Sequence, residues 1–145
     1  MATTAGLATA ALDIGLVHSL ALKFIAFLET GEAPPRLFAA DVICDFTLPK
    51  WRFQAQGIEG VVRLRKQGHP GPGKVPRWRV DATPTGFVIE FEERWEQDGK
   101  DWYSREMARA DVVDGSISLL SVYCTGDWDA EHRARHAREV TLIRP

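Results

Sequence analysis

The chain has 145 residues, 45% of them hydrophobic, with five Trp and seven Phe, and its 18 basic and 20 acidic side chains leave a net charge of −2. That size and apolar content suit a single domain with one sizeable core, and a slightly acidic chain without basic runs among its aromatics has no electrostatic footprint for nucleic acid. Cys44 and Cys124 are too few for a disulfide framework and belong to no CxxC or Cys/His cluster, so both read as reduced, packed thiols.

The apolar stretch from Leu7 to Leu28 is interrupted by Asp13, His18, Ser19 and Lys23, with no basic segment ahead of it. It reads as a soluble helix rather than a membrane span, and the protein as cytoplasmic. Leu16, Val17, Leu20, Ala21, Phe24, Ile25, Phe27 and Leu28 recur at helical spacing before Gly31, which predicts one amphipathic helix from Thr9 to Thr30. Pro34-Pro35 restarts the chain, and Arg36 to Ala40 is expected to form a short second helix. Asp41 to Leu48 then alternates as a strand, with Val42, Cys44, Phe46 and Leu48 toward the core. A loop is expected from Pro49 to Gly57. Ile58, Val61, Val62 and Arg65 mark a further helix that ends at Gly68, closed off by His69-Pro70 and Gly71-Pro72-Gly73.

The rest reads as sheet. Arg77 to Thr83 is one strand, and Phe87 to Tyr123 holds three more in antiparallel succession. Phe87, Ile89, Phe91, Glu93 and Trp95 share the inner face of the first of these, with Val88, Glu90, Glu92, Arg94 and Glu96 outside. The turn at Gln97-Asp98-Gly99-Lys100 then sets Trp95 opposite Trp102, Glu93 opposite Ser104, Phe91 opposite Glu106 and Ile89 opposite Ala108. The same register brings Glu92 to Arg105 on the outer face. In the last strand, Ser116 to Thr125, a two-residue loop at Asp114-Gly115 would turn Leu119, Ser121 and Tyr123 inward, whereas a glycine bulge would turn Leu120, Val122 and Cys124 inward. The second set is the more apolar. Asp129 caps a final helix reaching about Val140.

This order of elements resembles the NTF2-like superfamily, the cone-shaped α+β fold shared by ketosteroid isomerases, scytalone dehydratase, limonene epoxide hydrolase and SnoaL-type polyketide cyclases. The residues that carry it are Lys23 to Glu32, Leu37 to Val42, Gly57-Ile58-Glu59-Gly60-Val61, and Asp114-Gly115-Ser116-Ile117 leading to Val122-Tyr123. Trp51-Arg52-Phe53-Gln54 and Tyr123 to Asp129 are similar to stretches of bacterial SnoaL-like proteins. The resemblance implies a curved antiparallel sheet wrapped around N-terminal helices, with a central pocket. It also implies that the oxyanion-donating tyrosine of ketosteroid isomerases falls at Phe24 and their general-base aspartate at Phe46, beside Asp45. Only the second oxyanion donor has a carboxyl counterpart, Glu106. A ketosteroid-type isomerisation is therefore disfavoured on chemical grounds.

Glu93 and Glu106, diagonal on adjacent strands and about 7 Å apart at their β-carbons, are the first candidates for acid/base work. Enclosed by Trp95, Trp102, Phe91 and Phe46, at least one of them is expected to stay protonated near neutrality, able to protonate a leaving hydroxyl or enolise a ketone. The alternative is a rim position for Glu93, solvated or paired with an arginine such as Arg79. His18 on the first helix and His69 after the third are candidate general bases, although a histidine on an apolar helix also serves as a packed edge residue. Trp51, Asp127, Trp128 and Cys124 complete the candidate ligand wall, with Phe24 and the residues above. Asp127 to Asp129 reads equally as a turn and helix cap. His132 and His136 stand at a zinc-compatible spacing with no third ligand, so no metal is expected. No glycine-rich phosphate loop and no GxSxG are present; no cofactor is expected. The sequence thus points to an α+β pocket protein for a small, largely apolar, polyketide-like or terpenoid-like molecule, homodimeric through an outer sheet face carrying Val88, Met107 and Leu119. It acts by acid/base cyclisation, dehydration or isomerisation, or serves as a non-catalytic ligand-binding or dimeric interaction module.

Overall fold

Asp13 starts the first helix by accepting the Leu16 amide at 3.0 Å, a side-chain cap for an otherwise orphaned N–H. Helix α1 (Ile14–Thr30) ends at Gly31, whose φ of 77° lets its N–H return to the Phe27 carbonyl. The computed structural model describes residues 11–145. The expected start at Thr9 lies outside them, and within them the helix begins only after the Asp13 cap. Val17, Leu20, Ala21, Phe24, Ile25, Phe27 and Leu28 are its buried stripe.

The short helix expected over Arg36 to Ala40 is not formed. Arg36 occupies a turn at φ 67° and the chain enters strand β1 (Phe38–Leu48) directly. The cause is pairing with a distant part of the chain: Ser116 Oγ donates to the Arg36 carbonyl and the Ile117 N–H to the Leu37 carbonyl, each at 2.8 Å. These sheet contacts satisfy backbone groups that a helix would have satisfied internally. The expected loop from Pro49 to Gly57 is also replaced, by a turn at Pro49-Lys50 and a strand β2 (Trp51–Gln56) paired with β1 through Phe46↔Phe53 and Leu48↔Trp51. Trp51, Phe53 and Ala55 alternate with Arg52, Gln54 and Gln56, a period-two pattern that needs a partner strand to be stable.

Helix α2 (Gly57–Gly68) leads into a meander of β3 (Gly73–Ala82), β4 (Gly86–Gln97), β5 (Lys100–Val113) and β6 (Ser116–Cys124). A short β7 (Trp128–Asp129) pairs with β5, and Asp129 caps helix α3 (Ala130–Glu139) by accepting the His132 N–H at 2.7 Å. The strand order is β2-β1-β6-β5-β4-β3, with β1 and β6 parallel and the other neighbours antiparallel. This is an α+β cone: a curved, unclosed sheet with α1 packed on β3 and β4 and α2 on β1 and β2.

The β4–β5 register follows the sequence expectation, Trp95↔Trp102, Glu93↔Ser104, Phe91↔Glu106 and Ile89↔Ala108, with Glu92 opposite Arg105 on the outer face. The turn at Asp114-Gly115 is a two-residue loop closed by Val113↔Ser116, with φ of 53° and 81°, and not the expected glycine bulge; an irregularity further along, between Asp111 and Val112, sets the parity of β6 instead. It buries Leu120 and Val122, leaves Leu119 and Tyr123 exposed, and puts Cys124 on the inner side.

One glycine is required by close approach. A Cβ at Gly86 would lie 1.9 Å from the Ala110 carbonyl oxygen, so Gly86→Ala must push β4 away from β5. It is expected to cost about 1–3 kcal/mol, read as a lower urea midpoint at unchanged slope.

Candidate functional site: a carboxyl pair at the end of an apolar cavity

Strand alternation leaves Glu93 of β4 and Ser104 and Glu106 of β5 no direction but inward. Glu93 is 2% exposed and Glu106 5%. Arg65, one turn beyond buried Val61 on α2, reaches Glu93. Its Nη1 donates to Glu93 Oε2 at 3.1 Å, and its Nη2 donates to the other Glu93 oxygen and to the Leu28 carbonyl at 2.5 Å. The pair is bidentate and almost wholly out of water. Ser104 Oγ donates to Glu106 Oε1 at 2.8 Å, the Cys124 thiol lies 3.5 Å from the same oxygen, and the Gly126 N–H donates to Cys124 Sγ at 3.3 Å. Among the described residues, every buried side-chain nitrogen and oxygen has a partner.

The two carboxyls are driven apart electrostatically. Burial alone would raise Glu93, but the charge and hydrogen bonds of Arg65 overcome it and hold that carboxyl below its usual range. Glu106 is pushed well above it, by burial first and then by the adjacent Glu93 charge. Of the two carboxyls, Glu106 is therefore the one that keeps a proton to the higher pH. His69 is lowered to about 4 by burial and by the Arg65 charge, against an opposing Glu93, so its imidazole is neutral at pH 7. Burial and Glu93 raise Asp127, opposed by Arg65. Burial and Asp45 push the Cys44 thiol up to about 11, and burial and Glu106 push Cys124 up as well. Neither sulfur is a thiolate at neutral pH, which argues against a cysteine nucleophile.

Beside this cluster lies a cavity of about 280 Å³, walled by Phe24, Phe27, Phe46, Phe53 and Phe91 and edged by Arg65, His69, Glu106, Cys124 and Asp127. Exposed Gln67, Gly68, Phe53 and Asp127 surround its mouth. Glu93 does not line it; it stands behind Arg65 and Glu106.

Of the candidates from sequence, Glu106, His69, Phe24, Phe46, Phe91, Cys124 and Asp127 meet at the cavity, and Glu93 backs it. Four stand elsewhere. His18 does not look into the cone: it is exposed in line with Ile14 and Leu22, off the buried stripe of α1, and packs on Trp78 with ring centres 5.8 Å apart. Trp51 lies at the exposed end of β2, against Phe53 at 6.4 Å. Trp102 lies past the cavity, where it borders a surface hollow with Arg94, Trp95, Asp101 and Arg133. Trp128 is held on the other side of the sheet by Tyr103, His132 and His136, because its backbone pairs with Tyr103, whose side chain points outward. Trp95 instead supports His69, with ring centres 4.2 Å apart. Arg79 pairs with exposed Asp81, so it is not the partner of Glu93. Sequence reasoning did not single out Arg65 and Ser104 as site residues. The available signal for Arg65 was a cation on the same helical stripe as Ile58, Val61 and Val62, a position that requires a counterion.

No family model and no curated protein matches the chain in sequence. Solved structures do match it. An NTF2-like protein of Anabaena variabilis superposes with a TM-score of 0.66 at 20% identity, over 88% of this chain and 96% of that one. A protein of Kribbella flavida proposed to be a ketosteroid isomerase gives 0.57 at 19% identity, over 94% of each chain. A proposed polyketide cyclase of Xanthomonas campestris gives 0.60 at 16%, over 75% of this chain and 90% of that one. The chain has the NTF2-like fold. Within this NTF2-like cone, Phe24 and Phe46 are apolar wall, and the polar chemistry is concentrated at Arg65, Glu93 and Glu106. Among the described residues, no three His, Cys, Asp or Glu side chains converge to hold a metal ion, and no helix is long and apolar enough to cross a membrane.

Proposed function

We propose that the protein binds a small, largely apolar, polyketide-like or terpenoid-like molecule in the phenylalanine-walled cavity and acts on it by cofactor-independent acid/base chemistry: isomerisation, cyclisation or dehydration. The observation that carries this reading is a buried carboxyl, Glu106, whose pKa burial and the Glu93 charge push up, presented to an apolar cavity beside the Arg65–Glu93 ion pair. An apolar pocket with few convergent polar groups is the usual form of a small-molecule site, and a carboxyl kept protonated at pH 7 is a general acid.

Glu106 turns its proton from Glu93 to a carbonyl or hydroxyl oxygen of the ligand. This leaves a carboxylate beside that of Glu93, an unfavourable pair of like charges, so Glu106 readily recovers a proton in the second half of the cycle. His69 and Asp127, at the cavity edge, are the groups placed to accept a proton from ligand carbon. The test is a titration of carboxyl-labelled glutamate followed by NMR. One glutamate is expected to titrate well above the rest; ordinary titration of every glutamate would leave a ligand-binding module without acid/base function.

We also read the protein as a homodimer. Ile43, Leu119, Met107 and Tyr123 form an exposed apolar patch on the outer sheet face, in adjacent pairs Ile43↔Leu119 and Met107↔Tyr123, a pattern suited to a partner surface. Sedimentation equilibrium is expected to show a dimer that Leu119→Glu dissociates. Two unpaired cysteines fit the reducing cytoplasm, where we place the protein.

A further inference from the structure

We propose that the cavity admits uncharged ligands and rejects carboxylates, and that Glu93 is the residue that decides this, by neutralising Arg65 inside the protein. The proposal rests on the reading of the cavity as a small-molecule site.

Arg65 is the only Lys or Arg lining the cavity among the described residues. A free guanidinium at the end of an apolar pocket is a carboxylate receptor, because its planar fork matches two carboxylate oxygens. Here the fork is occupied. Both terminal nitrogens donate to Glu93, and one of them also donates to the Leu28 carbonyl. The side chains of Arg65 and Glu93 are 10% and 3% exposed, so a ligand cannot displace Glu93 without leaving it buried and unpaired.

What remains for a ligand is uncharged or negative. The Glu106 acid, the Cys124 thiol and the His69 ring border the space, and Asp127 stands at its mouth. A ligand carboxylate would give up its water and meet no counterion, whereas a ketone or hydroxyl gives up far less on entering the same space. Glu93 therefore acts on ligand choice from behind the wall, through Arg65, without touching the ligand.

The test uses two molecules of one shape, 2-acetylnaphthalene and 2-naphthoate, titrated calorimetrically into the protein at pH 7. The wild type is expected to bind the ketone at least about tenfold more tightly. Glu93→Gln keeps the size of the side chain and frees the Arg65 charge, so 2-naphthoate is expected to gain at least about tenfold and become the preferred ligand. Adding Arg65→Met to Glu93→Gln is expected to restore preference for the ketone. Wild-type binding of naphthoate as tightly as the ketone would overturn the selectivity while leaving the binding site intact; binding of neither would overturn the site and the selectivity together. A folded Glu93→Gln protein with no gain for naphthoate would remove Glu93 from the explanation. The wild-type comparison decides the selectivity even if that variant does not fold.

Discussion

Arg65→Met is expected to destabilise the protein by about 3–5 kcal/mol, a fall of roughly 10 °C or more in Tm for a chain of this length. The substitution leaves the Glu93 carboxylate buried without a counterion and removes the donor to the Leu28 carbonyl. Its pH dependence identifies the cause. In the wild type the Glu93 carboxyl lies below its usual range, so its contribution is present above the unfolded-state pKa and lost as pH falls through the folded value. Without Arg65 only burial and the neighbouring carboxyl remain, the folded pKa rises, and the variant is penalised as pH rises out of the ordinary carboxyl range. The gap between the two proteins should therefore narrow toward pH 4, as measured by urea unfolding at several pH values. Arg65→Met combined with Glu93→Leu is expected to recover most of the loss, because removing both partners of a buried pair costs far less than removing one. A single variant within about 1 kcal/mol of wild type at pH 7 would show that the pair is not held out of water.

Glu106→Gln should separate stability from activity. Its amide can still donate toward Glu93 and accept from Ser104, but it carries no transferable proton. Loss of a positioned general acid is expected to lower the rate by about 10²–10⁴-fold, checked by deuterium exchange at the methyl group of bound 2-acetylnaphthalene. Stability should move the other way. The folded pKa of Glu106 is raised by burial and by Glu93, so its contribution is full below the unfolded-state pKa and is lost as pH rises through the folded value. The Gln variant escapes that loss. Its Tm should equal or exceed that of the wild type at pH 7, and the difference should vanish near pH 4. An unchanged exchange rate would remove Glu106 from the chemistry.

The fold was legible wherever local chemistry and alternation agreed. Asp98-Gly99 aligned β4 with β5, and the outward match of Glu92 with Arg105 supported the inward position of Glu93 and Glu106. The apolar set Leu120 and Val122 pointed to the correct inner face of β6 but for the wrong reason: the turn at Asp114-Gly115 is the two-residue one, and the irregularity lies beyond it, at Asp111/Val112. What escaped depends on contacts remote in sequence. Nothing near Arg36 reveals that its carbonyl will meet Ser116, so a turn and strand were read as a helix. β2 alternates in the sequence but needs β1 beside it to become a strand. The partner of Glu93 lies 28 residues away on a helix, where charge pairing cannot be read from spacing. The tryptophans misled because pleating sets the face of a side chain but not how far along the strand the cavity extends: Trp102 shares a face with Glu106 and still lies beyond it.

The parallel pairing of β1 with β6 joins the first strand to the last long one, with a hydrogen bond spanning 80 residues. Both strands contribute to the cavity wall, through Cys44 and Phe46 on one side and Leu120, Val122 and Cys124 on the other. During synthesis the hollow is therefore assembled late, after β6 has left the ribosome and returned to β1. Until then the phenylalanines of α1 and β1 are without their final cover. A ligand that fitted the finished hollow would stabilise only completed chains, by mass action on the folded state.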